Sequence, residues 1–184
     1  MAVTHPYPRL ARRAVTTHLA RGPLTEALWA DLAEIPELLT TRQAAFVSIK
    51  TSRGELRGCI GTIAPAQPSL AWEIALNAIS AAVHDPRFSP LTADELPGVV
   101  FSVDVLSPPE IIKGPEQLDP ARYGVIVSRG GRRGLLLPAL EGVDTVEEQL
   151  AIAARKAGLD SPTDLKLERF TVTRFPEGEV HDPH

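Results

Sequence analysis

"AAFVSIKTSRGELRGCIGTI", residues 44–63, is the stretch on which the fold turns. Residues 44–51 are rich in strand-forming side chains, and "SRGE" at 52–55 has the composition of a tight turn. The chain is therefore expected to return antiparallel through "LRGCIGTI" at 56–63. Cys59, the only cysteine, then sits on the second strand of a hairpin with Gly58 and Gly61 beside it. Two glycines on one strand weaken its own preference and mark a bulge or a close approach by another backbone. Arg57, two residues before Cys59, shares its face if the strand alternates regularly.

Upstream, Leu10, Ala14, His18 and Leu19 recur at helical spacing across residues 7–21, and "RGP" at 21–23 ends that helix. Leu24, Leu28 and Leu32 suggest a second short helix before Pro36. Downstream, Ser69 stands where a helix cap belongs, ahead of a face of mostly small side chains: Leu70, Ile74, Ala78, Ala81 and Ala82. Small residues let a helix lie close on a sheet. Pro86 ends this helix near His84 and Asp85, so "HDPRFSP" at 84–90 is an exit loop. Thr92 with Glu95 makes a capping box for one short turn.

"VVFSVDVLSPP" at 99–109 is the clearest strand, with Phe101, Val103 and Val105 on one face and Ser102 and Asp104 on the other. "VIVS", "RGGRRG" and "LLLP", residues 125–138, read as a second hairpin. Thr145 and Glu148 cap a helix that buries Val146, Leu150, Ala153 and Ala157 and stops at Gly158. "LKLERFTVTRF" at 165–175 closes the fold as a strand. Hairpins interrupted by helices, without regular strand-helix-strand alternation, give an α+β class with a mainly antiparallel sheet flanked by helices. One domain is expected over 1–184, with its core at about 8–176 and a mobile tail at 177–184.

A net charge of -4 supplies no overall attraction to nucleic acid or to an anionic membrane. A single cysteine forms no internal disulfide and cannot hold an iron–sulfur cluster. With no apolar run of signal-peptide or membrane-spanning length, a cytoplasmic protein is expected. His181 and His184 are too few to hold a structural metal, and "RGGRRG" is not a nucleotide-binding glycine loop, so neither metal nor cofactor is expected.

Cys59 has two readings. A free cysteine packs as a small apolar group, whereas a thiol nucleophile needs access and a neighbouring positive charge or base. His84 and Asp85 offer a base and its orienting acid, and equally a helix terminus followed by a turn. Arg87 is either a ligand-facing cation or an anchor bonded to loop carbonyls. Arg129, Arg132 and Arg133 mark a solvated hairpin tip, or a site for an anionic ligand or RNA.

Six segments in order, "LRGCIG" at 56–61, "DPRF" at 85–88, "VLSPPE" at 105–110, "YGVIV" at 123–127, "GLLLP" at 134–138 and "KAGL" at 156–159, resemble the AMMECR-type domain family across roughly residues 8–176. The resemblance implies an α+β fold whose main antiparallel sheet is accompanied by a smaller subdomain. It also implies partners of the AmmeMemoRadiSam system: a Memo-type protein, similar to extradiol dioxygenases, and a radical S-adenosylmethionine enzyme. This chain, which lacks a three-cysteine cluster motif, would be their accessory. Carried over by position, the family signature covers Arg57, Gly58, Cys59 and Gly61, and Asp85, Pro86, Arg87 and Phe88.

On this basis Cys59, Arg57 and Asp85 are the candidate catalytic residues, and Gly58, Gly61, Arg87 and His84 the candidate substrate-binding ones. Cys59 would act as nucleophile or transient carrier on a small or protein-borne substrate. The rival is a non-catalytic docking module, and RNA binding is a weaker third. Relatives with a second cysteine just before "KAGL" contrast with the alanine found here, so a two-cysteine mechanism cannot run within this chain.

Overall fold

The computed structural model describes residues 5–30 and 35–178. It is α+β, built from two compact units, one of residues 1–105 with 174–184 and the other of 106–173. Leu32, part of the expected second helix, and the histidines His181 and His184 lie outside the described residues, as does the expected tail from Glu179 onward.

The first unit contains helix α1 (Pro6–Leu19), the short α2 (Pro36–Thr40), strands β1 (Ala45–Thr51) and β2 (Leu56–Gly61), helix α3 (Leu70–Val83) and strand β3 (Val99–Leu106). Its sheet runs in the order β2-β1-β3-β8, where β8 is Val172–Pro176. The β1–β2 hairpin is antiparallel, and β1 pairs antiparallel with β3 on its other side. Ala45, Val47 and Ile49 point into the core with Phe101, Val103 and the apolar faces of α1 and α3.

Ser69 occupies the N-cap of α3 as expected but makes no side-chain capping bond; the Leu70 amide instead donates to Thr41 O at 2.8 Å. Where a second helix was expected around Leu24 and Leu28, a single 3₁₀ turn forms at Glu26–Leu28. The capping box of Thr92 and Glu95 opens a 3₁₀ turn over Ala93–Gly98.

Glu177, expected in a loose tail, accepts from Arg12 Nε at 2.5 Å and from the Phe101 amide at 2.9 Å. Arg12 also donates to the carbonyls of Leu96 and Val99 and lies over the Phe101 ring. This ties α1 to the first sheet through one guanidinium.

The second unit carries β4 (Glu110–Ile112), β5 (Gly124–Arg129), β6 (Arg132–Leu136), helix α4 (Val146–Lys156) and β7 (Lys166–Phe170), with sheet order β4-β7-β5-β6. The capping box of Thr145 and Glu148 forms, and Gly158 takes the left-handed conformation just past the helix end. The closing strand departs from its sequence reading. "LKLERFTVTRF" is two strands broken at Thr171, β7 in the second sheet and β8 in the first. Alternation continues through the break and hides it, because the periodicity of a strand is blind to which neighbour it pairs with.

Both sheets bring a helix backbone onto an edge strand through a glycine. A Cβ on Gly58 of β2 would lie 2.1 Å from Ala81 O of α3, and one on Gly134 of β6 would lie 2.2 Å from Ala153 O of α4. We expect Gly134→Ala to lower the urea midpoint, corresponding to about 2 kcal/mol, because a helix backbone must move to admit the methyl.

Candidate functional site

The face of the first sheet turned away from α3 is a small grid. Register aligns Gly61, Phe46 and Asp104 in one cross-strand row, Cys59, Ser48 and Ser102 in the next, and Leu56, Lys50 and Val100 in the third. Gly61 leaves room for the Phe46 ring, whose carbons would be as near as 2.2 Å to a Cβ there. Cys59 is half-buried in the central row, and the Ser48 hydroxyl donates to its sulfur at 3.1 Å.

The exit loop after α3 closes on the same strand. Asp85 is buried, with a side chain 2 % exposed, and one of its oxygens accepts the Cys59 amide at 2.9 Å. Arg87 grips the carboxylate with two bonds, Nε at 3.0 Å and a terminal nitrogen at 2.7 Å, while its own amide donates at 3.1 Å. The same guanidinium reaches Cys59 O at 3.3 Å, yet the Arg87 side chain remains 55 % exposed. Bonds from Arg87 hold the Asp85 carboxyl far below the ordinary carboxylate range, overriding burial, which acts the other way. Asp85 is therefore an anion at all physiological pH, and it presents Arg87 outward in a fixed pose.

Asp104 repeats the arrangement. It is buried, and Arg174 of β8 clamps both its oxygens at 2.7 Å with a side chain 65 % exposed. Arg87 and Arg174 both hold their protons more firmly than usual, chiefly through hydrogen bonds to Asp85 and Asp104, with a lesser electrostatic contribution from nearby Cys59. The thiol therefore shares its electrostatic surroundings with two guanidiniums, each anchored from below by a buried carboxylate.

Of the residues singled out in the sequence, Cys59, Asp85 and Arg87 are thus brought together. Arg57 is engaged elsewhere: the pairing shifts between Ile49 and Lys50, leaving Arg57 as the extra residue of a bulge. It donates to both Glu95 oxygens, at 2.9 and 3.1 Å, and to Ser89 O at 3.0 Å. That pair holds Glu95 below its ordinary pKa and joins the edge strand to the 3₁₀ turn. His84 caps α3 and is exposed, and among the described residues no hydrogen bond links it to Cys59. Gly58 serves helix packing, and Gly61 serves Phe46.

Ser48, Asp104 and Arg174 escaped the sequence reading. Alternation places Ser48 and Asp104 on the polar side of their strands, but the register that aligns them with Cys59 is a tertiary fact. Glu73 was also missed. It is buried on α3 and accepts from Thr62 Oγ1 at 2.5 Å and from the amides of Ala66 and Gln67 at 2.9 and 2.8 Å. Its neighbour Asn77 donates to Ala45 O at 2.9 Å. Together they fix the loop that leaves β2.

The AMMECR1 family model matches residues 8–177. The chain belongs to the AMMECR1 family. Among its relatives, a Thermotoga maritima protein is 50 % identical over 172 residues, covering 93 % of this chain and 97 % of that one. A Clostridium acetobutylicum protein is 49 % identical over 94 % of this chain, but the match spans only 36 % of that longer polypeptide. The crystal structure of an uncharacterized Pyrococcus horikoshii protein superposes with a TM-score of 0.80 at 36 % identity, covering 96 % of this chain and 92 % of that one. The AMMECR1 fold is accordingly the α+β arrangement described above. Among the described residues, no helix is long and apolar enough to cross a membrane.

Proposed function

We propose that this AMMECR1-family protein presents Cys59 as a nucleophile or transient carrier for an anionic small-molecule or protein-borne substrate, as accessory to a Memo-type protein and a radical S-adenosylmethionine enzyme. The observation that carries the reading is the pair of half-exposed guanidiniums, Arg87 and Arg174, fixed by buried Asp85 and Asp104 in the surroundings of a half-buried thiol. A buried carboxylate orients an arginine without neutralising its outer N–H groups, which remain free to meet a carboxylate or phosphate. Asp85 acts through Arg87 and through the Cys59 amide as a positioning residue.

Alkylation by two reagents of similar size tests this. Relative to free cysteine, Cys59 should react about tenfold faster with anionic iodoacetate than with neutral iodoacetamide, and the preference should shrink with salt. Arg87→Gln and Arg174→Gln should each reduce it. An unchanged ratio in both variants, or protection of Cys59 until unfolding, would remove the nucleophile reading.

A docking role is the second reading, favoured by two observations. Leu56 and Val100, 40 % and 42 % exposed, flank Lys50 in the row next to Cys59. In the Clostridium acetobutylicum relative, the matching region is one part of a longer chain, as expected of a module that works beside others. Copurification with a Memo-type protein should survive Cys59→Ser and fail with Leu56→Asp and Val100→Asp together.

A further inference from the structure

We propose that the tip of the β5–β6 hairpin is a binding site for the phosphate group of a small ligand. Register sets Arg133 of β6, Ser128 of β5 and Lys166 of β7 in one row, with Ser128 between the two cations. Neighbouring positions in such a row lie about 5 Å apart, so the two cationic positions stand about 10 Å apart across Ser128, within reach of one ligand for these long side chains. The nearest carboxylate in the sheet is Glu168, one row along, 3.5 Å from Arg133 and mostly buried. A guanidinium, a hydroxyl and an ammonium in one row, lining one cleft, form a donor set suited to phosphate oxygens.

The alternate residues of the hairpin extend the cationic surface. Arg129 donates to Thr163 O at 2.7 Å and Arg132 to Gly158 O at 2.5 Å, so the carbonyls that follow α4 hold both guanidiniums in place without cancelling their charge. All four cations line one cleft of about 540 Å³ with Ser128, the two turn glycines and a single carboxylate, Asp164. Gly130 and Gly131 have positive φ, and a Cβ on either would meet nothing within 4 Å, so the floor of the cleft lies open above the turn. The volume falls within the range of small-molecule sites, roughly 300–1,000 Å³. The chain as a whole carries a net charge of -4, and the four cations of this tip make a short local patch, which favours a compact phosphorylated ligand over a nucleic-acid backbone that needs an extended track.

The test is calorimetric titration of the full chain at low salt with inorganic pyrophosphate, and separately with a single-stranded RNA oligonucleotide. Pyrophosphate should bind saturably at one site. Arg133→Gln combined with Lys166→Gln should weaken it by roughly tenfold or more. Lys113→Gln, which removes an exposed charge of the same unit outside the cleft, should leave it unchanged. Because Arg133 pairs with Glu168, Lys166→Gln alone, which leaves that pair intact, should also weaken binding and separates loss of the site from loss of stability. Absence of saturable binding, equal binding by the cleft variants, or tighter binding of RNA than of pyrophosphate would each overturn the proposal.

Discussion

Gly58→Ala should destabilise the protein by about 3 kcal/mol, read as a fall in the urea midpoint at unchanged slope. The methyl would enter at 2.1 Å from the Ala81 carbonyl oxygen and 3.0 Å from its carbon, both of them backbone atoms of α3. A flexible side chain could swing away from such an intrusion, but a helix backbone has to move as a body. That displacement would loosen the contacts of Ala78, Ala81 and Ala82, whose small side chains permit the close approach in the first place. Cys59→Ala, one residue further on and directed to the opposite face, should cost about 1 kcal/mol or less. Equal losses at the two positions would refute this account of the "RGCIG" glycines. A large effect at Gly58 would also not bear on catalysis, so activity lost in that variant must be judged against its stability.

Asp85→Asn should remove about 2 kcal/mol at neutral pH. It replaces a buried carboxylate that receives both arms of Arg87, the Arg87 amide and the Cys59 amide. The exposure of Arg87 to solvent keeps the figure below that of a fully buried pair. The pH dependence follows in sign from the same bonds. The folded-state pKa of Asp85 is depressed below its ordinary value of 3.8, chiefly by the Arg87 hydrogen bonds. Its contribution is therefore complete above the unfolded value and is lost as pH falls through the folded one. The stability gap between parent and Asp85→Asn should be constant near neutrality and begin to narrow below about pH 4. Urea midpoints at pH 7 and pH 3 would show this, and a gap that widened on acidification would contradict the assignment. In the alkylation assay the variant should also lose part of the preference for iodoacetate, because Arg87 would no longer be held in position, whereas a purely structural role would leave that ratio alone.

Much of the architecture was legible along the chain. The first hairpin, the small-residue helix face, both capping boxes and the Phe101, Val103 and Val105 strand face are local patterns, written in spacing and in turn chemistry. Local patterns do not carry pairing. The division of the last strand at Thr171 between two sheets left no mark in its alternation, and the bulge that takes Arg57 to Glu95 was visible only as an excess of glycine. The arginines of "RGGRRG" read in sequence as a solvated tip or an anion site; that two of them are bonded to carbonyls far along the chain and a third stands in a row with Lys166 is decided by the tertiary structure.

The site divides the same way. Sequence alone determined that a lone thiol lies on a glycine-flanked strand, and that an Asp-Pro-Arg loop follows a helix able to pack tightly against that strand. Both follow from the propensities and steric limits of neighbouring residues, which act over a few positions. Only the tertiary structure decided which cations accompany the thiol. Arg174 comes from β8, over a hundred residues beyond Cys59, and Ser48 enters through the cross-strand register, while Arg57, close by in sequence, is directed to another partner. The physical reason is that charges and hydrogen bonds act through space, and the separations that matter are set by how strands pair and where helices lie, which no single stretch of chain encodes.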